Sequence, residues 1–190
     1  MPNNTWDNLV DPHLVARGDS KSAFTSYQDV AGTAASKPLP TVGANELKIG
    51  TKLVIEAIGE FSTTGTPTLQ IGLIYNASAG AAGGTALAQS AAITTGSGAA
   101  SWPWHYRANG IITTTGTSGV IYIHGILDFG TSLTALSPNA CPTTAAARSV
   151  TINTTTAASF GLGAAWSASS ASNIIIVDVF NVQILNQGKT

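Results

Sequence analysis

From Leu47 onward the chain alternates apolar and polar positions in short runs, the two-residue period of a half-buried β-strand. In Lys52–Phe61, Glu56 and Glu60 share one face with Val54 and Ile58, and in Thr68–Tyr75 the residues Leu69, Ile71, Leu73 and Tyr75 fall together. Gly119–Phe129 sets Val120, Tyr122, His124 and Ile126 on one side and Ile121, Ile123 and Leu127 on the other. Segments at Leu87–Ile93, Trp102–Thr113, Arg148–Thr155, Ser159–Trp166 and Asn173–Leu185 bring the series to eight. Turn signals such as Thr64-Gly65-Thr66-Pro67, Gly83-Gly84 and Thr95-Gly96-Ser97-Gly98 separate them. With no helical period and no parallel-sheet crossover, the pattern predicts an all-β fold, a jelly-roll-type antiparallel β-sandwich of about eight strands. The last strand carries Ile174, Ile175, Ile176, Val177 and Val179 on both faces, which predicts a strand buried on two sides, central or interfacial.

Residues 1–45 lack this alternation. Trp6, Leu9, Val10, Leu14, Val15, Phe24, Tyr27 and Val30 stand isolated among Asp, Asn, Gly, Ser and Pro, with at most one helical turn at Asp11–Arg17, capped by Asp11 with Pro12 first. The expectation is an extended N-terminal arm at 1–45 followed by a sandwich domain at 46–190. Some 40 extended residues reach on the order of 130 Å, enough to cross a neighbouring subunit. Trp6, Leu9, Val10, Phe24 and Tyr27 are its expected anchors on a neighbour, because large aromatics are unusual in a solvating tail.

Charge sharpens the division. Of 8 Lys/Arg and 9 Asp/Glu, five and seven respectively lie in the first 60 residues, so the strand-rich remainder is nearly uncharged. The net charge of −1 leaves no basic footprint for nucleic acid, and so sparse a surface charge favours association. The longest aliphatic run, Ile174–Val177, falls far short of the roughly 18 residues of a membrane-spanning helix. Met1–Trp6 shows no basic region followed by an apolar stretch, so the expectation is assembly in a cytoplasm. The single cysteine, Cys141, has no disulfide partner and no metal-ligand spacing around it, and no cofactor or metal is expected.

Candidate chemistry is sparse. His124 and Asp128 lie four apart on one strand, about 13 Å, too far for a hydrogen bond, and no Gly-x-Ser-x-Gly elbow accompanies them. Asp178 interrupts an apolar strand and calls for a cationic partner, with Arg107 and Arg148 the nearest in kind. His105 and His124 are expected as structural or subunit-contact histidines. Trp102, Trp104 and Tyr106 recur at a spacing of two and so share a face. Exposed, they are a glycan-stacking platform; turned inward, they are core or interface packing, the favoured reading. Pro103 between them suggests an edge strand or a bulge.

The stretch Leu47–Gly59 followed by Thr64-Gly65-Thr66-Pro67-Thr68-Leu69 resembles the opening of small jelly-roll structural proteins of tailed bacteriophages. Ala100-Ser101-Trp102-Pro103-Trp104, Gly116–Val120 and Ala164–Ser169 extend the resemblance over about residues 45–186. It implies a non-enzymatic virion component, a homotrimer that decorates the phage head, binds the major capsid protein and reinforces capsid contacts; on that reading Trp6, Leu9, Val10, Phe24 and Tyr27 are the capsid- or subunit-contacting residues of the arm. The alternative it leaves is a tail or head-surface adhesin that binds a host cell-surface glycan through Trp102, Trp104 and Tyr106.

Overall fold

The computed structural model describes residues 19–32 and 38–185. In chain order the strands are β1 (Asp19–Ser22), β2 (Gln28–Asp29), β3 (Thr41–Val42), β4 (Lys52–Ser62), β5 (Thr68–Tyr75), β6 (Thr85–Leu87) and β7 (Ile93–Thr94). They continue with β8 (Trp102–Thr114), β9 (Gly119–Ser132), β10 (Ala135–Cys141), β11 (Ser149–Ile152), β12 (Ala158–Trp166) and β13 (Ile174–Leu185). A 7-stranded sheet runs β1-β13-β4-β8-β9-β10, with β11 also on β9. A 6-stranded sheet runs β2-β12-β5-β6, with β3 on β12 and β7 on β5. All pairings are antiparallel, so the chain is an all-β sandwich as the alternation predicts. The β4–β5 and β12–β13 segments pair as β4 with β13 and β5 with β12, one pair in each sheet, while β8, β9 and β10 follow one another as a meander in the long sheet.

The alternation is what makes two layers of one chain. From the long sheet Leu53, Ile55, Phe61, Trp104, Tyr106, Ile121, Ile123 and Phe129 point inward and are buried. Leu69, Ile71, Leu73, Phe160, Leu162 and Trp166 face them from the short sheet. Phe61 stacks on Phe129 at 4.6 Å and meets Trp166 edge-on at 6.5 Å, the geometries the aromatic quadrupole favours. β13 lies between β1 and β4 but is buried on one face: Ile175, Val177, Phe180, Val182 and Ile184 face the core while Ile174, Ile176 and Val179 are half-buried. A bulge produces this inversion of phase. Val177 pairs with Gly59 and Val179 with Ile58, so Asp178 is the extra residue.

The described part of the expected arm is built into the sandwich. β1 extends the long sheet by pairing with β13, and β2 then pairs with β12 in the other sheet. Phe24 and Tyr27, expected to contact a neighbour, pack on their own chain: Phe24 is buried in the core cluster and Tyr27 rests on the outer face of the short sheet. Two facing glycines, Gly72 and Gly163, make this seat. A Cβ on Gly163 would stand 2.3 Å from the Tyr27 Cζ, and one on Gly72 would stand 2.7 Å from its hydroxyl oxygen. Asp29, fully buried, ties the segment down by accepting the backbone N–H groups of Ala31 (3.2 Å), Gly32 (2.8 Å) and Gly80 (2.9 Å). The Lys21 ammonium donates to the carbonyls of Asp29 and Gly80. Trp6, Leu9, Val10 and the helical turn at Asp11–Arg17 lie outside the described residues.

Candidate interaction face

On the outer face of the short sheet the Tyr27 ring covers Gly72 and Gly163 and the Asp29 carboxylate covers Gly161, but no described strand lies over the outer face of the long sheet. Register turns the outward residues of this face into cross-strand rows. One row is Leu185, Lys52, Ile111 and Tyr122; the next is Gln183, Val54, Asn109 and His124. Then come Asn181, Glu56, Arg107 and Ile126, and beyond them Val179, Ile58, His105 and Asp128.

Charge on this face is unevenly spread. In the last two rows both carboxylates have partners within the chain: the His105 Nε2 lies 3.0 Å from a Glu56 carboxylate oxygen, and the Arg107 guanidinium donates to Asp128 at 2.6 Å. Arg107 is thereby committed to Asp128 rather than to Asp178, the pairing the sequence suggests. Beside these pairs Ile58 is 38% and Ile126 46% exposed, large aliphatic surfaces left in water. In the first two rows the charged group is Lys52, with the His124 imidazole one row away, and the exposed apolar groups are Ile111 (37%) and Tyr122 (41%). These residues with Asn109 and Gly110 line a shallow hollow of about 300 Å³. His124 is in register with Asn109 and Asp128 with His105, so His124 and Asp128 form no pair.

The aromatic triad shares a face, and that face is the inner one. Trp104 and Tyr106 are fully buried, the indole N–H donating to the Glu60 carbonyl (3.3 Å) and the phenol to the Ala88 carbonyl (3.0 Å). Trp102 is half-buried, edge-on to Phe61 at 6.1 Å. A glycan platform at Trp102, Trp104 and Tyr106 is therefore corrected: β8 sits between β4 and β9, and its inward residues fill the sandwich. Pro103 marks no edge, being the second residue of an interior strand, where a missing N–H costs least. Cys141 is buried, and burial pushes its thiol up to about 12.

Sequence reading missed the Tyr27 seat, although Gly161 and Gly163 alternate in Phe160-Gly161-Leu162-Gly163, the mark of a strand face on which other chain lies. Among the described residues no three His, Cys, Asp or Glu side chains come together to hold a metal ion, and no helix is long and apolar enough to cross a membrane. No protein family, curated protein or solved structure matches the chain.

Proposed function

We propose that this chain is a non-enzymatic structural subunit of a phage virion, a homotrimer that decorates the head and reinforces contacts of the major capsid protein. The observation that carries the reading is the half of the long-sheet face at Ile58 and Ile126. Aliphatic side chains stand exposed there while the neighbouring Glu56 and Asp128 carboxylates already have side-chain partners within the chain, so covering this surface leaves neither without a partner. At about 25 cal/mol per Å², roughly 400 Å² of apolar burial is worth on the order of 10 kcal/mol before association costs. Repetition over symmetry-related sites on a shell multiplies that contribution. The resemblance of Leu47–Gly59 and Thr64–Leu69 to small phage jelly-roll proteins supplies the particle.

The experiment is Ile126→Asp, at an outward position whose change leaves the core intact. Sedimentation should show a trimer for the wild type and a folded monomer for the variant, which should also fail to bind particles. A wild-type monomer, or a variant that still trimerises and binds, overturns the assignment of this face.

A further inference from the structure

We propose that the hollow at the Lys52 end of the long-sheet face is a binding subsite for a saccharide carrying an anionic group. The hollow, about 300 Å³, is at the small end of ligand sites, which run from roughly 300 to 1,000 Å³, and so fits a single sugar ring. Lys52, Ile111 and Tyr122 occupy one cross-strand row and Asn109 and His124 the next. With strands about 4.8 Å apart and same-face residues about 6.7 Å apart along each, these five side chains enclose the footprint of one pyranose.

Their chemistry divides as a sugar site requires. Tyr122 offers an exposed ring, held edge to face with His124 at a centroid distance of 6.3 Å and an interplanar angle of 68°. With Ile111 it forms an apolar floor for the C–H face of a pyranose, while the Asn109 amide both donates to and accepts from hydroxyls. Charge selects the substituent. Lys52 is flanked in its row by Leu185 and Ile111, and among the described residues no carboxylate lines the hollow. The face's nearer acids, Glu56 and Asp128, are engaged by His105 and Arg107. Lys52 is a cation that no carboxylate among the described residues answers, so the complement it lacks is a carboxylate or phosphate on the sugar. The two halves of the face thus differ: in one the Glu56 and Asp128 carboxylates are engaged within the chain, in the other the Lys52 ammonium borders a hollow.

The test uses the isolated full chain, so its outcome is independent of where the chain sits on a particle. Trigalacturonate, glucose 6-phosphate and neutral maltotriose are titrated into isotope-labelled protein and followed by amide NMR shifts. Saturable shifts centred on Lys52, Asn109–Ile111 and Tyr122–His124 are expected with an anionic probe. Response to trigalacturonate alone assigns a carboxylate, and to glucose 6-phosphate alone a phosphate. Lys52→Gln should weaken that binding about tenfold or more, the scale of one charge-assisted hydrogen bond, and Tyr122→Ala about fivefold. Shifts elsewhere, no response to either anionic probe, or maltotriose binding equally well overturns the proposal.

Discussion

Tyr27 and the glycine pair beneath it offer a quantitative test of how the N-terminal segment is held. Gly163→Ala puts a methyl 2.3 Å from the ring Cζ and 2.5 Å from Cε1 and the hydroxyl oxygen, so the ring must move by more than about 1 Å to regain van der Waals distance. That displacement pulls on the β2–β12 pairing at Gly163 and Ala164 and on the Val30 N–H to Leu162 carbonyl bond of 2.8 Å. The expected cost is about 2–4 kcal/mol, with Tyr27→Ala losing a similar amount through the emptied seat. Tyr27→Phe should cost under about 1 kcal/mol, because the phenol oxygen is buried without a hydrogen-bond partner and its removal strands nothing. The informative comparison is the double variant. With the ring gone, the methyl introduced at position 163 has space, so the two losses should fall short of additivity by about 1–2 kcal/mol. Urea unfolding followed by tryptophan fluorescence, with Trp104 and Trp166 buried as reporters, supplies all four free energies. Strictly additive losses, or a Gly163→Ala variant as stable as the wild type, would refute this seating of Tyr27.

Three further outcomes follow from other parts of the molecule. Asp29→Ala removes the acceptor of three backbone N–H groups and should cost about 2–4 kcal/mol, with amide exchange at Gly32 and Gly80 accelerated before that of the core; unchanged exchange there would contradict the role given to Asp29. Cys141 titrates at about 12 when folded against an ordinary 9.0, so the unfolded chain loses its thiol proton first, and the thiol's contribution to stability is lost as pH rises across that interval. Native protein should accordingly resist iodoacetamide at neutral pH and react once unfolded, and Cys141→Ala should flatten the alkaline slope. Arg107→Gln removes a pair whose guanidinium side is 52% exposed, and denaturant titration should show a loss of no more than about 1 kcal/mol.

The sandwich was legible because its signal is local. β5, β12 and β13 coincide within a residue with the segments read from alternation, since Leu69, Ile71 and Leu73 repeat at the strand period. β10 was not, because Ala135–Cys141 is mostly exposed at the end of its sheet, contains Pro138 and carries no apolar alternation. β1 and β2 were read as an arm for a related reason: Asp19–Ser22 is polar throughout, and its place is set by backbone pairing to β13 rather than by side-chain pattern. Leu87–Ile93 reads as one strand but is two, because Ala88 has a positive φ of 43° and Ser90 turns the chain by bonding to Ile71. The candidate face was the least legible. Its Glu56–His105 and Arg107–Asp128 pairs, and the meeting of Lys52, Asn109, Tyr122 and His124, depend on the register between β4, β8 and β9, which no single strand reveals.

The assignment of this chain to the head of a phage particle is the claim on which the account turns, and cryo-electron microscopy of purified particles tests that claim most directly. The account predicts density for the sandwich at threefold or quasi-threefold positions on the outside of the head, with the face bearing Ile58 and Ile126 against a neighbour. Particles whose heads lack this density, with the chain absent or confined to the tail tip, would contradict it.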